Sequence, residues 1–339
     1  MTLRKPFDPE RLAGSICAVT RAEARANIAL VKYWGKRDSI LNLPVRGSLS
    51  LTLEALKTVT SIDRLGRPGD DELILDGAPA DEEARARVQR FLDLVRARRG
   101  VTEAVRVESN NHFPTAAGLA SSASAFAALA AGAARAFEVD MSPEELSVFA
   151  RRGSGSAARS VFGGFVRMFA GERADGDDAF AAPVTSKIAL SAAIAIVGMA
   201  PKKVGSTDGM EHTRDTSPFH EAWVTAVDPD LQSAERALSE GDFETLATVT
   251  EGNCLAMHAN AMSARPGLLY WKPATVALIH EVRALRQRGV PVFFTIDAGP
   301  HVVAFCDPGA LDEVADALRH TPGVERIIRS AAGDGVWVS

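Results

Sequence analysis

The sequence predicts an α+β protein of two domains, and three observations carry that expectation. A chain of 339 residues exceeds what one ordinary core organises. Its 46% hydrophobic and 24% charged content is that of an ordinary globular chain. Strand-like and helix-like patterns alternate with links that suit antiparallel neighbours, so a doubly wound parallel sheet is not expected. The boundary is placed near residues 180–188, giving domains 1–187 and 188–339.

Residues 16–31 and 48–62 carry strand-type apolar patterning, and the polar segment from Lys36 to Gly47 between them reads as a turn region. Asp81 to Arg99 is amphipathic, with Ala84, Val88, Phe91 and Val95 recurring at the helical period. Its arginines are expected to form a solvated face, with positive charge suited to the helix C-terminus. Val101 to Glu108 follows as a short strand and Ala120 to Phe137 as a helix. Ser142-Pro143-Glu144-Glu145 opens another helix, with Ser as N-cap, Pro at the first position and Glu closing a capping box. Gly153 to Phe165 and Arg173 to Asp178 read as loops. Beyond the boundary come a strand (188–199), a polar loop (201–217) and two or more helices (218–262). A helix from Pro273 to Arg288 is stopped by Gly289 and Pro291. A strand (292–297), a turn at Gly299-Pro300, a strand (302–306), a helix (309–319) and a strand (324–329) complete the pattern.

Composition narrows the function as well. A net charge of −5 gives no reason to expect nucleic acid or an anionic membrane as partner. Cys17, Cys254 and Cys306 are widely spaced and form no C-x-x-C pair, which argues against a disulfide framework or a zinc site and fits a reducing cytosol. Met1 to Ser15 is charged without an apolar core, so no signal peptide is expected there. The longest apolar run, Ile188 to Ala200, falls short of the about 20 residues that a spanning helix needs. A soluble, cytoplasmic protein is expected.

Four clusters could carry chemistry. Asn110 to Ser124 runs a small, hydroxyl-rich turn into an Ala-rich stretch. The first turn of a helix has N–H groups without intrahelical partners and carries partial positive charge. Small residues let a phosphate approach that backbone, and hydroxyls add donors or reach a magnesium ion. A serine-capped helix packed tightly against its neighbours fits the same pattern. Asn27 to Asp38 is the second cluster. A strand period puts Lys32 and Trp34 on one face and Tyr33 on the other. Lys32, Lys36, Arg37 and Tyr33 suit a polyanionic ligand, or else an exposed basic strand end. The third cluster, Ala150 to Ser160, joins small residues and hydroxyls to Arg159, which can form a bidentate fork. A plain Gly-Ser loop is its other reading. In the fourth, Asp297 ends an apolar strand beside Gly299-Pro300, as a turn cap or as an acid/base group aimed into a cleft. His301 is expected to be a surface turn residue.

Together these segments resemble the diphosphomevalonate decarboxylases of the GHMP kinase superfamily. NIALVKYWGKRD (27–38), NLPVRGSLSLTL (42–53), PTAAGLASSAS (114–124), ARRGSGSAARS (150–160), ADGDD (174–178), GSTDGM with TRDTS (205–217) and TIDAGP (295–300) stand in that family's order and approximate spacing. The resemblance implies a GHMP-kinase fold. Its N-terminal domain is ribosomal-protein-like with a β-α-β unit, its C-terminal domain is ferredoxin-like, and the active site lies in the cleft between. It implies ATP and Mg2+, phosphorylation of the tertiary 3-hydroxyl of mevalonate 5-diphosphate, and departure of that phosphate with carbon dioxide. The products are isopentenyl diphosphate, ADP and inorganic phosphate, a step of isoprenoid and hence lipid biosynthesis. Phosphorylation converts a poor leaving group into a good one, and such transfer needs positioning and charge neutralisation more than covalent help. Substrate and ATP are the implied partners, with a homodimer as the usual assembly.

The resemblance also implies roles for individual residues. Asp297 matches the aspartate beside the 3-hydroxyl, which accepts or orients its proton and stabilises the positive charge that develops. Arg159 matches the arginine that holds the substrate carboxylate, with Asn27 orienting it, and Lys32 lies near the transferred phosphoryl group. Ser154, Gly155, Ser156, Ala157 and Ala158 belong to the diphosphate site, with Tyr33, Trp34, Gly35 and Lys36 opposite and Ser206 and Thr207 as a further contact. Gly118, Leu119, Ala120, Ser121 and Ser122 cradle the ATP phosphates, with Ser122 as the magnesium contact.

Two other readings stay open. One is a phosphomevalonate decarboxylase or a mevalonate 3-kinase, and the other is a non-catalytic binding protein on the same fold. Asp297, Lys32 and Arg159 favour full decarboxylase chemistry, and GSGS with Lys36 favours a diphosphate. A binding protein would be expected to lack Asp297 or the serine cradle. The chain departs from the family pattern at Arg46-Gly47-Ser48, where Asn-Ser-Ser is common, and Arg46 adds charge near the substrate side. Asn253, Met257, His258 and Ala259 echo the family only loosely and are expected to be core or surface.

Overall fold

Two sheets, one rooted in each half of the chain, organise the protein. The computed structural model describes residues 19–113, 121–198 and 203–339. The first half runs β1 (Thr20–Val31), a small hairpin β2 (Lys36–Asp38) and β3 (Leu43–Pro44), β4 (Ser48–Pro68), β5 (Glu72–Leu75), β6 (Ala78–Pro79) and α1 (Glu82–Arg99). It continues with β7 (Glu103–Asn111), α2 (Ser121–Ala136), α3 (Pro143–Gly153), a 3-10 turn at Gly155–Val161, β8 (Phe165–Met168) and β9 (Ala181–Pro183). The second half runs β10 (Ser191–Ile196), α4 (Ser206–Thr216), α5 (His220–Glu240), α6 (Phe243–Met262), α7 (Pro273–Gln287), β11 (Val292–Thr295) and β12 (Val302–Cys306). It closes with α8 (Leu311–Arg319), β13 (Arg326–Ala331) and β14 (Trp337–Val338).

The first sheet has the order β14-β1-β4-β7-β5-β6, with β8 pairing β4 and β9 pairing β8. β5 and β7 are parallel and joined through α1, the β-α-β unit of this half. The second sheet, β11-β12-β10-β13, is antiparallel throughout. Its first strand sits between its third and fourth, which is ferredoxin-like topology.

Local signals end the helices where the sequence places them. Asp81 accepts a hydrogen bond from the Ala84 N–H, and Gly100 closes α1 at φ 72°, a conformation that glycine adopts without a Cβ penalty. Ser142 and Glu145 form both halves of the capping box at α3. Two differences from expectation bear on the site. The polar stretch 201–217 contains α4, hidden because only Gly209, Met210 and Thr213 of that helix are buried. The Gly-Ser segment after α3 winds into the buried 3-10 turn rather than an open loop.

Burial explains how the halves join. Ala22 and Ala24 of β1 pack in the core that α1 and α2 cover. A register shift against β4 falls between Arg25 and Asn27, and such an irregularity re-aims side chains. Beyond it Ala26, Ile28 and Leu30 enter a core shared with α5, α6 and the second sheet through Trp223, Met257, Ile194 and Phe293. Asn27 and Ala29 are thereby left on the cleft between the halves. Among the described residues no helix is long and apolar enough to cross a membrane.

Candidate active site

The cleft encloses about 580 Å³ and receives side chains from both halves. β1 ends at Val31, so the strand alternation expected for Lys32, Tyr33 and Trp34 stops there. All three line the same cleft, and the expectation that Tyr33 faces away is corrected. The N-terminus of α2 supplies Ser121 and Ser122, the 3-10 turn and its preceding residue supply Ser154, Gly155, Ser156 and Arg159, and the start of α4 supplies Ser206, Thr207 and Asp208. Asp297 and Ala298 enter from the end of β11.

At the centre the Lys32 Nζ lies 2.6 Å from Asp297 Oδ1. The lysine is buried, whereas the aspartate side chain keeps 25% exposure towards the cleft. Arg159 is buried beside them. Its Nε donates to Asn27 Oδ1 and to Ser50 Oγ, each at 3.0 Å, and its Nη1 donates to Ser48 Oγ. Asn27 is held in turn, its Nδ2 donating to Ser160 Oγ at 2.8 Å and to the Ser156 carbonyl at 2.9 Å. Burial lowers the Arg159 pKa to about 10, with the nearby Asp297 charge acting the other way. The guanidinium therefore stays charged at neutral pH while its hydrogen-bond partners are all neutral. A desolvated cation of this kind favours an incoming carboxylate.

The other end of the cleft is built for a polyanion. Lys36 Nζ lies 2.8 Å from Asn42 Oδ1 and 3.1 Å from Thr207 Oγ1, and burial pulls its pKa below that of an ordinary lysine. The Tyr33 hydroxyl donates to the Asn42 carbonyl at 3.3 Å, and burial pushes its phenol pKa upward. A Cβ at position 155 would sit 2.3 Å from that hydroxyl, so only glycine lets the turn approach Tyr33. Ser122 Oγ and Ser154 Oγ are 3.1 Å apart, joining the start of α2 to the Gly-Ser turn. The cations Lys32, Lys36, Arg87 and Arg159 face the cleft with Glu83, Asp208 and Asp297. Among the described residues no group of three or more His, Cys, Asp or Glu side chains could hold a metal unaided. The donor set that remains, serine hydroxyls with scattered carboxylates, fits Mg2+, which keeps waters and phosphate oxygens as most of its ligands.

Residues 24–181 match the family model described as the diphosphomevalonate decarboxylase-like N-terminal domain, and residues 192–334 match the mevalonate 5-diphosphate decarboxylase C-terminal domain. The chain belongs to the diphosphomevalonate decarboxylase family. Diphosphomevalonate decarboxylase of Aspergillus fumigatus is 40% identical over 304 residues, 83% of this chain and 75% of the relative. The crystal structure of mevalonate diphosphate decarboxylase from Staphylococcus aureus is 36% identical with a TM-score of 0.90, covering 95% of this chain and 98% of that one. A structure of MDDEF in complex with MVAPP, AMPPCP and magnesium is 38% identical with a TM-score of 0.88, over the same shares. The two sheets and the cleft between them are the GHMP-kinase fold that the resemblance implied.

Not every residue expected of the family site reaches the cleft wall. Gly118, Leu119 and Ala120 lie outside the described residues. Ala157 and Ala158 lie on the fully buried side of the turn, in the cores of the first half. Gly35, at φ 128°, faces Val45 and His220 and serves the bend between β1 and β2. Arg46 does not line the cleft, its Nε lying 3.2 Å from Asp228 on α5, and Gly47 packs too closely on the Met168 carbonyl to bear a side chain. His301 is buried rather than on the surface, accepting from the Val197 N–H at 2.9 Å.

Sequence reasoning missed Arg87. It is exposed on α1 as expected of that face, yet its Nη2 donates to the Gly153 carbonyl at 2.8 Å, its guanidinium lies 4.6 Å from the centre of the Phe126 ring, and it also lines the cleft. Met257 lines the cleft, and Asn253 and His258 touch the backbone beside the Lys32–Asp297 pair. His258 recurs with Glu251 and Cys254 at helical spacing on α6 as a buried polar stripe, and Asn253 lies on the neighbouring one.

Proposed function

We propose that this enzyme carries out the ATP-dependent decarboxylation of mevalonate 5-diphosphate to isopentenyl diphosphate, releasing ADP, phosphate and carbon dioxide. The observation that supports it best is the Lys32–Asp297 pair, at 2.6 Å, set in one cleft between the buried Arg159 and two hydroxyl-rich turns. Arg159, steadied by Asn27, Ser48 and Ser50, holds the substrate carboxylate with its remaining N–H groups. Tyr33, Trp34, Lys36, Ser154, Gly155, Ser156, Ser206 and Thr207 form the diphosphate end. Ser121 and Ser122, at the start of α2, hold ATP phosphates together with the helix N–H groups. Ser122 is the magnesium contact, and the bound ion neutralises charge on the phosphate oxygens.

Asp297 faces the 3-hydroxyl and accepts or orients its proton as the phosphoryl group arrives. Lys32 keeps that carboxylate in place and adds positive charge where the phosphoryl group is transferred. When the new phosphate leaves, the Asp297 carboxylate stands beside the carbon that becomes electron-poor. Loss of carbon dioxide then supplies the electron pair for the double bond. Incubation with ATP, magnesium and each of mevalonate, its 5-phosphate and its 5-diphosphate tests the reading. Carbon dioxide is expected from the 5-diphosphate, and its release from the 5-phosphate in preference would overturn the substrate assignment. Residues 1–187 and 188–339 are proposed as the two domains. A cytoplasmic homodimer is proposed for the assembly, on the family resemblance and the buried free thiols of Cys254 and Cys306.

A further inference from the structure

β11 is the edge strand of the second sheet, so its outer N–H and C=O groups have no strand to bond. Side chains of α6 answer them instead. The Glu251 carboxylate accepts from the Phe294 N–H at 3.3 Å, and Cys254 Sγ accepts from the Ile296 N–H at 3.1 Å. His258 Nε2 lies 3.2 Å from the Ile296 carbonyl. A carbonyl can only accept, so that nitrogen carries the ring proton. Burial beside Lys32 keeps the ring neutral, with a pKa lowered to about 4. These residues recur three and four apart, on one face of the helix, and the residue after the held peptide is Asp297.

The next stripe of α6 reaches the other half of the protein. Asn253 Oδ1 accepts from the Lys32 N–H at 2.8 Å, while its Nδ2 donates to Asp230 Oδ2 on α5, also at 2.8 Å. One helix thus holds the backbone beside both members of the ion pair. Asn253 and His258 are each 1% exposed. Burying polar groups there is costly unless they are bonded, and an apolar stripe would have packed the same space.

We propose that Asn253, Cys254 and His258 are positioning residues, through which α6 sets the separation and heading of the Lys32–Asp297 pair. The proposal rests on the catalytic role given above to that pair. A shift of about 1 Å in such a pair is enough to cost on the order of a hundredfold in rate.

The test measures kcat, KM for both substrates, melting temperature and the 15N resonance of the Lys32 ammonium, assigned through Lys32→Arg. His258→Ala and Asn253→Ala are expected to lower kcat by about ten- to a hundredfold and to shift the lysine resonance, with both KM values within about twofold. His258→Gln carries an amide donor to the same carbonyl and is expected to recover kcat to within about threefold of the wild type. Combining His258→Ala with Cys254→Ala should cost less than the product of the two, because both act on one peptide. Leu246→Ala, fully buried on the same helix, controls for stability and is expected to lower the melting temperature while leaving kcat unchanged. Variants at 253 and 258 that merely follow Leu246→Ala, or a glutamine that rescues nothing, would overturn the proposal. Should the wild type release no carbon dioxide, the catalytic assignment falls, and the lysine resonance alone decides whether α6 positions the pair.

Discussion

Replacing Arg159 by lysine keeps a positive charge in the cleft but removes the planar fork. In the structure Nε and Nη1 already serve Asn27, Ser50 and Ser48, so the fork is oriented before substrate arrives. Lysine has three donors on one nitrogen and cannot hold those neutral groups while also pairing both oxygens of a carboxylate. One charge-assisted hydrogen bond to the substrate is lost, at about 1.5–3 kcal/mol. That is about a 10- to 150-fold fall in kcat/KM. The fall should be larger for mevalonate 5-diphosphate than for ATP when ADP release is followed against each in turn, with ATP affinity within about threefold. A lysine variant within about threefold of wild-type kcat/KM would refute both the fork and the placement of the carboxylate beside it.

Asp297→Asn should collapse turnover by about a thousandfold or more while leaving nucleotide binding within about threefold, read by calorimetry and single-turnover kinetics; near-normal turnover would remove its assigned role. Arg87→Met should raise KM for ATP about tenfold with a smaller effect on the other substrate, because its guanidinium lines the cleft and sits over Phe126, one turn along α2 from Ser122. An unchanged ATP dependence would return Arg87 to a packing role. His258 has a folded pKa lowered to about 4 against 6.5 for the free side chain, so between those values the unfolded chain binds the extra proton. Stability present above about pH 6.5 is therefore lost as pH falls towards 4, by about 3 kcal/mol in all. Melting temperatures at pH 7 and pH 4.5 should fall further for the wild type than for His258→Gln, and equal falls would contradict this.

The expected site residues that the structure brings to the cleft are those whose chemistry is local. A hydroxyl-rich turn entering a helix, a Gly-Ser turn with Arg159, and a carboxylate ending an apolar strand each carry their meaning in a dozen neighbouring residues. Arg87 does not. It lies in a run of arginines on an amphipathic helix and stays exposed, and what ties it to the cleft is the Phe126 ring and the Gly153 carbonyl, both distant in sequence. Asn253 and His258 are core as expected, but which backbone groups they satisfy is not legible in the sequence, since those groups lie just past strands that meet only in the folded protein. Tyr33 lies past the end of β1, where a period of two has no force. The fold was more legible, down to the Asp81 cap and the capping box at Ser142. α4 escaped because its buried face is a glycine, a methionine and a threonine.

The pairing of β14 with β1 bears on how the protein is made. Ala22 and Glu23 face Val338 and Trp337, and the Ser339 and Arg21 backbones exchange hydrogen bonds in both directions. β1 and its sheet leave the ribosome early, yet one edge of that sheet stays open until residues 337–339 have been added. Throughout translation of the second half, the nascent chain therefore exposes a strand edge able to pair with a neighbour on the same messenger. Pairing of β14 covers Arg21 to Glu23 of that edge and leaves a two-residue strand outermost, and so short an edge is a poor template for a neighbour.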